Sequence, residues 1–355
     1  MVDIRELARR SGVSIATVSR ALNGRAEVSS DTRARIVKLA RELGYSPNSA
    51  ARTLARQRSN TIGLVWDTGY HAQGRRHPFL ADLVVGLKAA LTADGYHLLL
   101  PSTDPAAIAD PETYIRLARQ HHLDGVIVMG VDEHLPAVAA LVGSDVPCVA
   151  FDLVVQGPRS GYVTSDNRAG AASAVRHLHD LGHRRIATIT GPLDLPPAAE
   201  RLEGYRRELD RLGLPYQPEL VVEGDFFSPS GHAAALRLIE LPEPPTAVFV
   251  AGDEMAMGAL RALVDSGRRV PEDIALVGFD DIEAAALVRP GLTTVAQDKD
   301  AFGNAAAAEL IALMGSVADP GGPREPRVLA THLVVRESCG AGPSQPPSRS
   351  PSSSR

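Results

Sequence analysis

At 355 residues the chain exceeds one ordinary hydrophobic core and divides into two or three domains. Hydrophobic residues make up 44%; with no charged-then-apolar leader and no apolar run of roughly 18 residues, the composition argues against a secreted or membrane-spanning chain and for a soluble cytoplasmic one. The net charge of −5 is unevenly spread, since residues 1–60 carry 12 Lys and Arg against 5 Asp and Glu and the remainder 25 against 37, so a polyanion would meet a basic head on an acidic body.

The first helix is expected over Ile4–Arg10. Asp3 caps it, Glu6 three residues on completes a capping box, and Ile4, Leu7 and Ala8 share one face. Ser11-Gly12 ends it. Ser14 caps a second helix, with Val18 and Leu22 inward one turn apart and Asn23-Gly24 as its stop. Ser29 starts a third, with Ile36, Leu39, Ala40 and Leu43 as its apolar stripe and Gly44 as its stop. Two short helices joined by a tight turn make a helix-turn-helix, whose second helix enters the major groove of double-stranded DNA. Its first exposed residues are Ile15 and Ala16, with Arg20 one turn on, a side chain suited to bidentate contact with guanine. Ser14, Thr17, Ser19 and Asn23 are short polar groups that bond phosphates and fix register. The plain alternative, a small helical bundle without a ligand, leaves the basic balance and the outward polar set unexplained. A small-residue segment beginning at Pro47-Asn48 and a linker over 57–60 follow.

From Thr61 short apolar strands alternate with amphipathic helices. Strands are expected at Ile62–Trp66, His97–Pro101, Gly125–Met129, Cys148–Phe151, Arg185–Thr190, Thr246–Val250 and Ile274–Phe279. Helices such as Leu80–Asp94, Arg168–Leu181, Arg201–Leu212, Ser230–Ile239 and Glu254–Ser266 lie between them. That alternation predicts parallel sheets covered by helices on both faces. Cys148, in an apolar run, reads as a buried free thiol, and with Cys339 alone beside it no disulfide framework exists. The tail from Ala341 is rich in Pro and Ser and is expected to be disordered.

Several ordered motifs resemble the lac-repressor (LacI/GalR) family: Asp3–Asn23; Val28-Ser29 with Thr32-Arg33; Leu43-Gly44-Tyr45-Ser46-Pro47-Asn48; Ala51-Arg52 with Leu54; Asp166-Asn167-Arg168-Ala169-Gly170; Leu181-Gly182-His183-Arg184-Arg185; Arg201-Leu202-Glu203-Gly204-Tyr205; Val277-Gly278-Phe279-Asp280-Asp281; and Leu292-Thr293-Thr294-Val295. The resemblance spans about residues 2–338. It implies an N-terminal all-α helix-turn-helix head at 1–47, with Ser29 among its DNA contacts, and a hinge helix and linker at 48–60. In the hinge Asn48, Ala51, Arg52 and the wedge residue Leu54 meet the minor groove. It implies an α/β periplasmic-binding-protein-like core at 61–340 built from two parallel-sheet subdomains, about 61–163 plus 293–319 and about 164–292 plus 320–338, followed by the tail at 341–355. By position, the effector contacts fall on His77, Phe79, Asp152, Arg201, Phe226, Asp253, Asp280 and Gln297.

Carboxylates at strand ends, an Arg and a few aromatic rings suit a polyhydroxylated ligand. The chain departs from the family at Gly252, where Asn is frequent, in the length of the loop 67–77, and at Glu27, whose role the sequence leaves open. His177, His179 and His183 make no metal site on helical spacing, no cofactor is expected, and no catalytic constellation is present. The expected function is a sequence-specific transcriptional regulator, a repressor, acting as a homodimer on a pseudo-palindromic operator under control of a saccharide effector. The rival, a solute-binding transport component sharing the core fold, is disfavoured by the basic head.

Overall fold

The computed structural model describes residues 3–22, 27–45, 58–66, 77–103, 107, 109–132, 134–315 and 324–342. It divides into two units, residues 1–60 and 61–355.

In the first unit, helices α1 (Ile4–Ser11), α2 (Ile15–Leu22) and α3 (Ser30–Glu42) enclose a small core of Leu7, Val18 and Ile36, all fully buried, with Ala8, Ala21, Val28 and Ala40 around them. Asp3 caps α1, its Oδ1 accepting from the Glu6 amide at 2.8 Å. The reciprocal half of the expected capping box is not formed: the Glu6 carboxylate turns instead to Arg9 and Arg10. Three charge-assisted bonds outcompete one backbone amide there. Ser14 caps α2 through the Thr17 amide at 3.1 Å, and Ser29 caps α3 through the Thr32 amide.

The second unit runs β1 (Thr61–Val65), α4 (Pro78–Ala93), β2 (His97–Leu99), α5 (Thr113–Gln120), β3 (Gly125–Val128), α6 (Pro136–Val142), β4 (Cys148–Phe151) and β5 (Ser160–Ser165). It continues with α7 (Asn167–Asp180), β6 (Ile186–Thr190), α8 (Pro196–Arg211), β7 (Val221–Glu223), α9 (Ser228–Ile239), β8 (Ala247–Val250), α10 (Asp253–Asp265), β9 (Ala275–Asp280) and α11 (Glu283–Leu287). β10 (Thr293–Gln297), α12 (Lys299–Gly315), β11 (Arg327–Leu329) and β12 (Thr331–Val334) complete it. One six-stranded sheet has the order β11-β5-β4-β3-β1-β2, the other β12-β10-β9-β8-β6-β7. Every pair is parallel except β10 with β12. Strands β3, β4 and β8 are buried at every position, as uninterrupted apolar runs covered on both faces should be.

The chain passes between the sheets at 165–167, 297–299 and 329–331. This corrects the expected subdomain limits. Thr293–Gln297, expected in the first subdomain, is a strand of the second sheet, and Arg327–Leu329, expected in the second, pairs with β5 of the first. Helix α12 nevertheless lies against α4 and strands β3, β4 and β5, so the segment after Gln297 does return to the first subdomain. Cys148 is buried, and burial pushes its thiol up to about 12. Cys339 is also buried and free, with the Thr293 hydroxyl 3.1 Å and the His177 Nε2 3.2 Å from its sulfur. His183 Nδ1 lies 2.9 Å from the Thr246 hydroxyl. Ala341, assigned to the tail, packs on the core, and residues 343–355 lie outside the described part.

Candidate functional site

In the head, the outer face of α2 presents Ser14, Ile15, Ala16 and Arg20, with Thr17 and Ser19 half-buried beside them. Ile15 is 46% exposed although it is a large aliphatic residue at a helix start, a placement that suits contact with a thymine methyl in the major groove. Ser14 and Thr17 share a hydroxyl–hydroxyl bond at 2.9 Å, which aims their remaining capacity outward. Ser29 is exposed at the start of α3. Arg20 Nε stands 3.3 Å from Glu27 Oε2, which gives Glu27 a partner the sequence did not reveal. Asn23, Asn48, Ala51, Arg52 and Leu54 lie outside the described residues.

In the core, the segments at the ends of β3, β4, β7 and β9 face a cleft with about 830 Å³ of empty space, its mouth included. Ligands of open parallel sheets bind beyond the carboxyl ends of strands, where loops can differ without disturbing the sheet. His77, Phe79 and Asp152 line the cleft from the first subdomain, and Arg201, Phe226 and Asp280 from the second. Six of the eight expected effector residues are thus brought together.

Arg201 projects from α8 and is 3% exposed. Its Nε donates to Asn167 Oδ1 at 2.9 Å and its Nη1 to the Ala251 carbonyl at 2.7 Å, with Asp280 Oδ1 at 3.5 Å. The guanidinium also stacks 3.8 Å over the Phe279 ring. These contacts fix the plane of the group and leave Nη2 for a ligand. Asp280 ends β9 and accepts from Gln297 Nε2 at 2.7 Å. Burial raises its carboxyl pKa, and the charge of Arg201 pulls it back. Asp152 accepts from the Thr164 hydroxyl at 2.8 Å, and burial pushes its carboxyl up to about 6. Both ring nitrogens of His77 are buried without a hydrogen-bond partner among the described residues; the Phe226 backbone approaches but completes no bond. Burial lowers His77 to about 4, so the imidazole is neutral near pH 7.

Asp253 and Gln297 are placed elsewhere. Asp253 is fully buried at the start of α10, where its Oδ1 accepts from the Thr294 hydroxyl at 2.7 Å and its Oδ2 from the Ile282 amide at 3.0 Å. It fastens the segment after β9 rather than lining the cleft. Gln297 spans the subdomains: its Oε1 accepts from Ser165 at 2.7 Å while its Nε2 holds Asp280. Both amide ends are occupied, so Gln297 supports a cleft residue at the crossover. Lys299, which no sequence motif singles out, donates to the Asp281 carbonyl at 2.7 Å and stands 3.5 Å from the Asp82 carboxylate.

Positive φ angles gather here. Asp152 (54°), Phe226 (67°), Asp280 (112°) and Asp281 (51°) are four of the six non-glycine residues with φ above zero among those described. Such conformations cost about 1–3 kcal/mol each and persist where the surroundings over-determine them, which marks functional loops. Asp67–Arg76, the long loop before His77, lies outside the described residues.

Comparison with known proteins agrees with this anatomy. Residues 3–48 match the model of bacterial regulatory proteins of the lacI family, and residues 175–339 match a periplasmic binding protein-like domain. The HTH-type transcriptional regulator CelR of Thermobifida fusca is 39% identical over 335 residues, 94% of this chain and 96% of that protein. The ribose operon repressor of Escherichia coli is 35% identical over 315 residues, covering 88% of this chain and 92% of its own. Among solved structures, a CelR–cellobiose complex matches with a TM-score of 0.69 at 36% identity, covering 95% of this chain and 100% of that one. The lac repressor dimer bound to operator and the anti-inducer ONPF matches with a TM-score of 0.79 at 30% identity, covering 96% and 99%. The chain therefore belongs to the lacI family of bacterial regulatory proteins, and it is a DNA-binding transcription regulator rather than an enzyme.

Proposed function

We propose that the protein is a cytoplasmic repressor that binds a pseudo-palindromic operator as a homodimer and is controlled by a saccharide held in the core cleft. The observation that carries the effector half is the cleft itself: a buried, plane-fixed Arg201 beside Asp280 and Asp152, faced by the neutral imidazole of His77 and walled by aromatic rings. Donors and acceptors of that kind meet hydroxyls, and rings cover the apolar face of a sugar. The relatives add support, since one is described in complex with cellobiose and another is a ribose operon repressor. On the DNA side, Ile15, Ala16 and Arg20 read bases, the short polar residues of α2 hold phosphates, and Leu54 wedges into the minor groove.

Ligand binding across the cleft favours one relative orientation of the subdomains, and any state with different operator affinity is then favoured or disfavoured reciprocally. Exposed Val85, Leu100, Val264 and Leu287 offer apolar surface for a second copy. A gel shift with operator DNA, titrated with salt and then with cellobiose or ribose, tests the reading. Sequence-specific, salt-sensitive binding that a sugar alters supports it; binding that no sugar alters removes the effector half.

A further inference from the structure

The Phe226 ring lies against two glycines. A Cβ added at Gly191, just past β6, would lie 2.2 Å from Phe226 Cζ and 2.3 Å from Cε2. A Cβ at Gly252, two residues past β8, would lie 3.2 Å from Phe226 Cδ1. β6 and β8 are neighbours in the second sheet, so the ring rests on backbone where two adjacent strands end. Its own position is tightly held. Phe226 has φ 67°, and the turn around it is locked by Asp225 N donating to Ser230 Oγ, Phe227 N to Asp225 Oδ1, and Ser230 Oγ to the Phe227 carbonyl, each at 2.9 Å. The ring has main chain behind it and the cleft in front, with Val131 and Leu153 of the first subdomain lining the same cleft.

We infer that Gly191 and Gly252 determine which saccharides the cleft admits: without side chains they let Phe226 lie back over the ends of β6 and β8, and the room so gained takes a second sugar ring stacked on Phe226. This rests on the saccharide reading above. A methyl group at Gly191 has no room behind the ring, so the ring is displaced toward the cleft and the cleft narrows; at Gly252 the ring needs to give by only a few tenths of an ångström. A single sugar ring beside Arg201 and Asp280 keeps its polar contacts, while a second ring loses its place. Gly191, with the closer approach, exerts the larger effect. Specificity then resides in two residues that offer a ligand no functional group.

The test is calorimetric titration of the full chain with cellobiose and with glucose, in the wild type, Gly191→Ala, Gly252→Ala, Phe226→Ala and the double variant Gly191→Ala/Phe226→Ala. The wild type is expected to prefer cellobiose. Gly191→Ala is expected to weaken cellobiose about tenfold or more while glucose changes by less than about threefold, with Gly252→Ala intermediate. In the Phe226→Ala background Gly191→Ala is expected to have no further effect, because the ring that transmits it is gone. Equal loss for both sugars, a loss that persists without Phe226, or a wild-type preference for glucose overturns the inference. A wild type that binds neither sugar removes the saccharide reading itself, and this inference with it.

Discussion

Glu27 Oε2 lies 3.3 Å from Arg20 Nε, so an acidic residue shares the side chain that the helix-turn-helix offers to guanine. Both groups are more than half exposed, and a surface pair of this kind contributes about 0–1 kcal/mol. Its effect on DNA is larger than on stability, because the carboxylate both orients Arg20 and repels phosphate. Glu27→Ala is expected to tighten nonspecific DNA binding by about fivefold and to reduce discrimination at the Arg20-read position. Fluorescence anisotropy with operator and scrambled duplexes at one salt concentration measures both. Unchanged affinity for both duplexes would show that Glu27 acts on neither.

Arg201 and Asp280 form a buried ion pair, 3% and 2% exposed. Removing one partner strands the other and, with Asn167 and the Ala251 carbonyl also losing a donor, Arg201→Ala is expected to destabilise the core by about 3–5 kcal/mol. Urea unfolding followed by circular dichroism reads this. A loss under about 1 kcal/mol would mean that the pair contributes little and that Arg201 is kept for its ligand alone.

Asp152 gives a pH signature with a definite sign. Its carboxyl is raised from an ordinary 3.8 to about 6 by burial, so between those values the folded chain binds a proton that the unfolded chain has released. That contribution to stability is full below about pH 4 and is lost as pH rises through about 6. Asp152→Asn should therefore gain stability relative to wild type on going from pH 4 to pH 7.5, as read from urea midpoints. A constant difference across that range would contradict the raised pKa.

The dimer reading makes a separate prediction. Val85 on α4 is 69% exposed and is an apolar side chain that a second copy could cover. Val85→Glu is expected to shift the protein toward monomer in sedimentation velocity and to weaken operator binding, with the core fold unchanged by circular dichroism. An unaltered sedimentation coefficient would place the interface elsewhere.

Much of this was legible in the sequence because local chemistry writes it there. Asp3, Ser14 and Ser29 cap the helices they were expected to cap, through side-chain oxygens on backbone amides. The buried strands β3, β4 and β8 announce themselves as apolar runs. Strands β5, β7, β10, β11 and β12 carry no comparable apolar run. β7 and β11 span three residues each, β11 is largely exposed, and β10 and β12 form their pairing only after the chain has crossed between sheets. The motif around Thr293 identified the segment without saying to which sheet it belongs, hence the misplaced subdomain limits.

At the cleft, sequence position found the strand ends but not the direction of each side chain. Asp253 and Asp280 both stand at the ends of apolar runs, yet only Asp280 lines the cleft, since Thr294 and the Ile282 amide consume Asp253 from below. Gln297 looked like a contact and is a bridge to Ser165. Gly191 carried a signal, Thr190-Gly191-Pro192 at the end of a buried strand, whose meaning depends on a ring thirty-five residues away.

Occupancy of the cleft is expected to alter operator affinity through Arg201. Anisotropy titration of the full chain on operator DNA, with and without a saturating sugar, in the wild type and in Arg201→Lys, measures this. The wild type is expected to change its operator affinity by about tenfold or more when the sugar is present. Arg201→Lys should bind operator as the wild type does and fail to respond. Operator affinity indifferent to a sugar that demonstrably occupies the cleft, or a full response in the variant, would contradict that expectation.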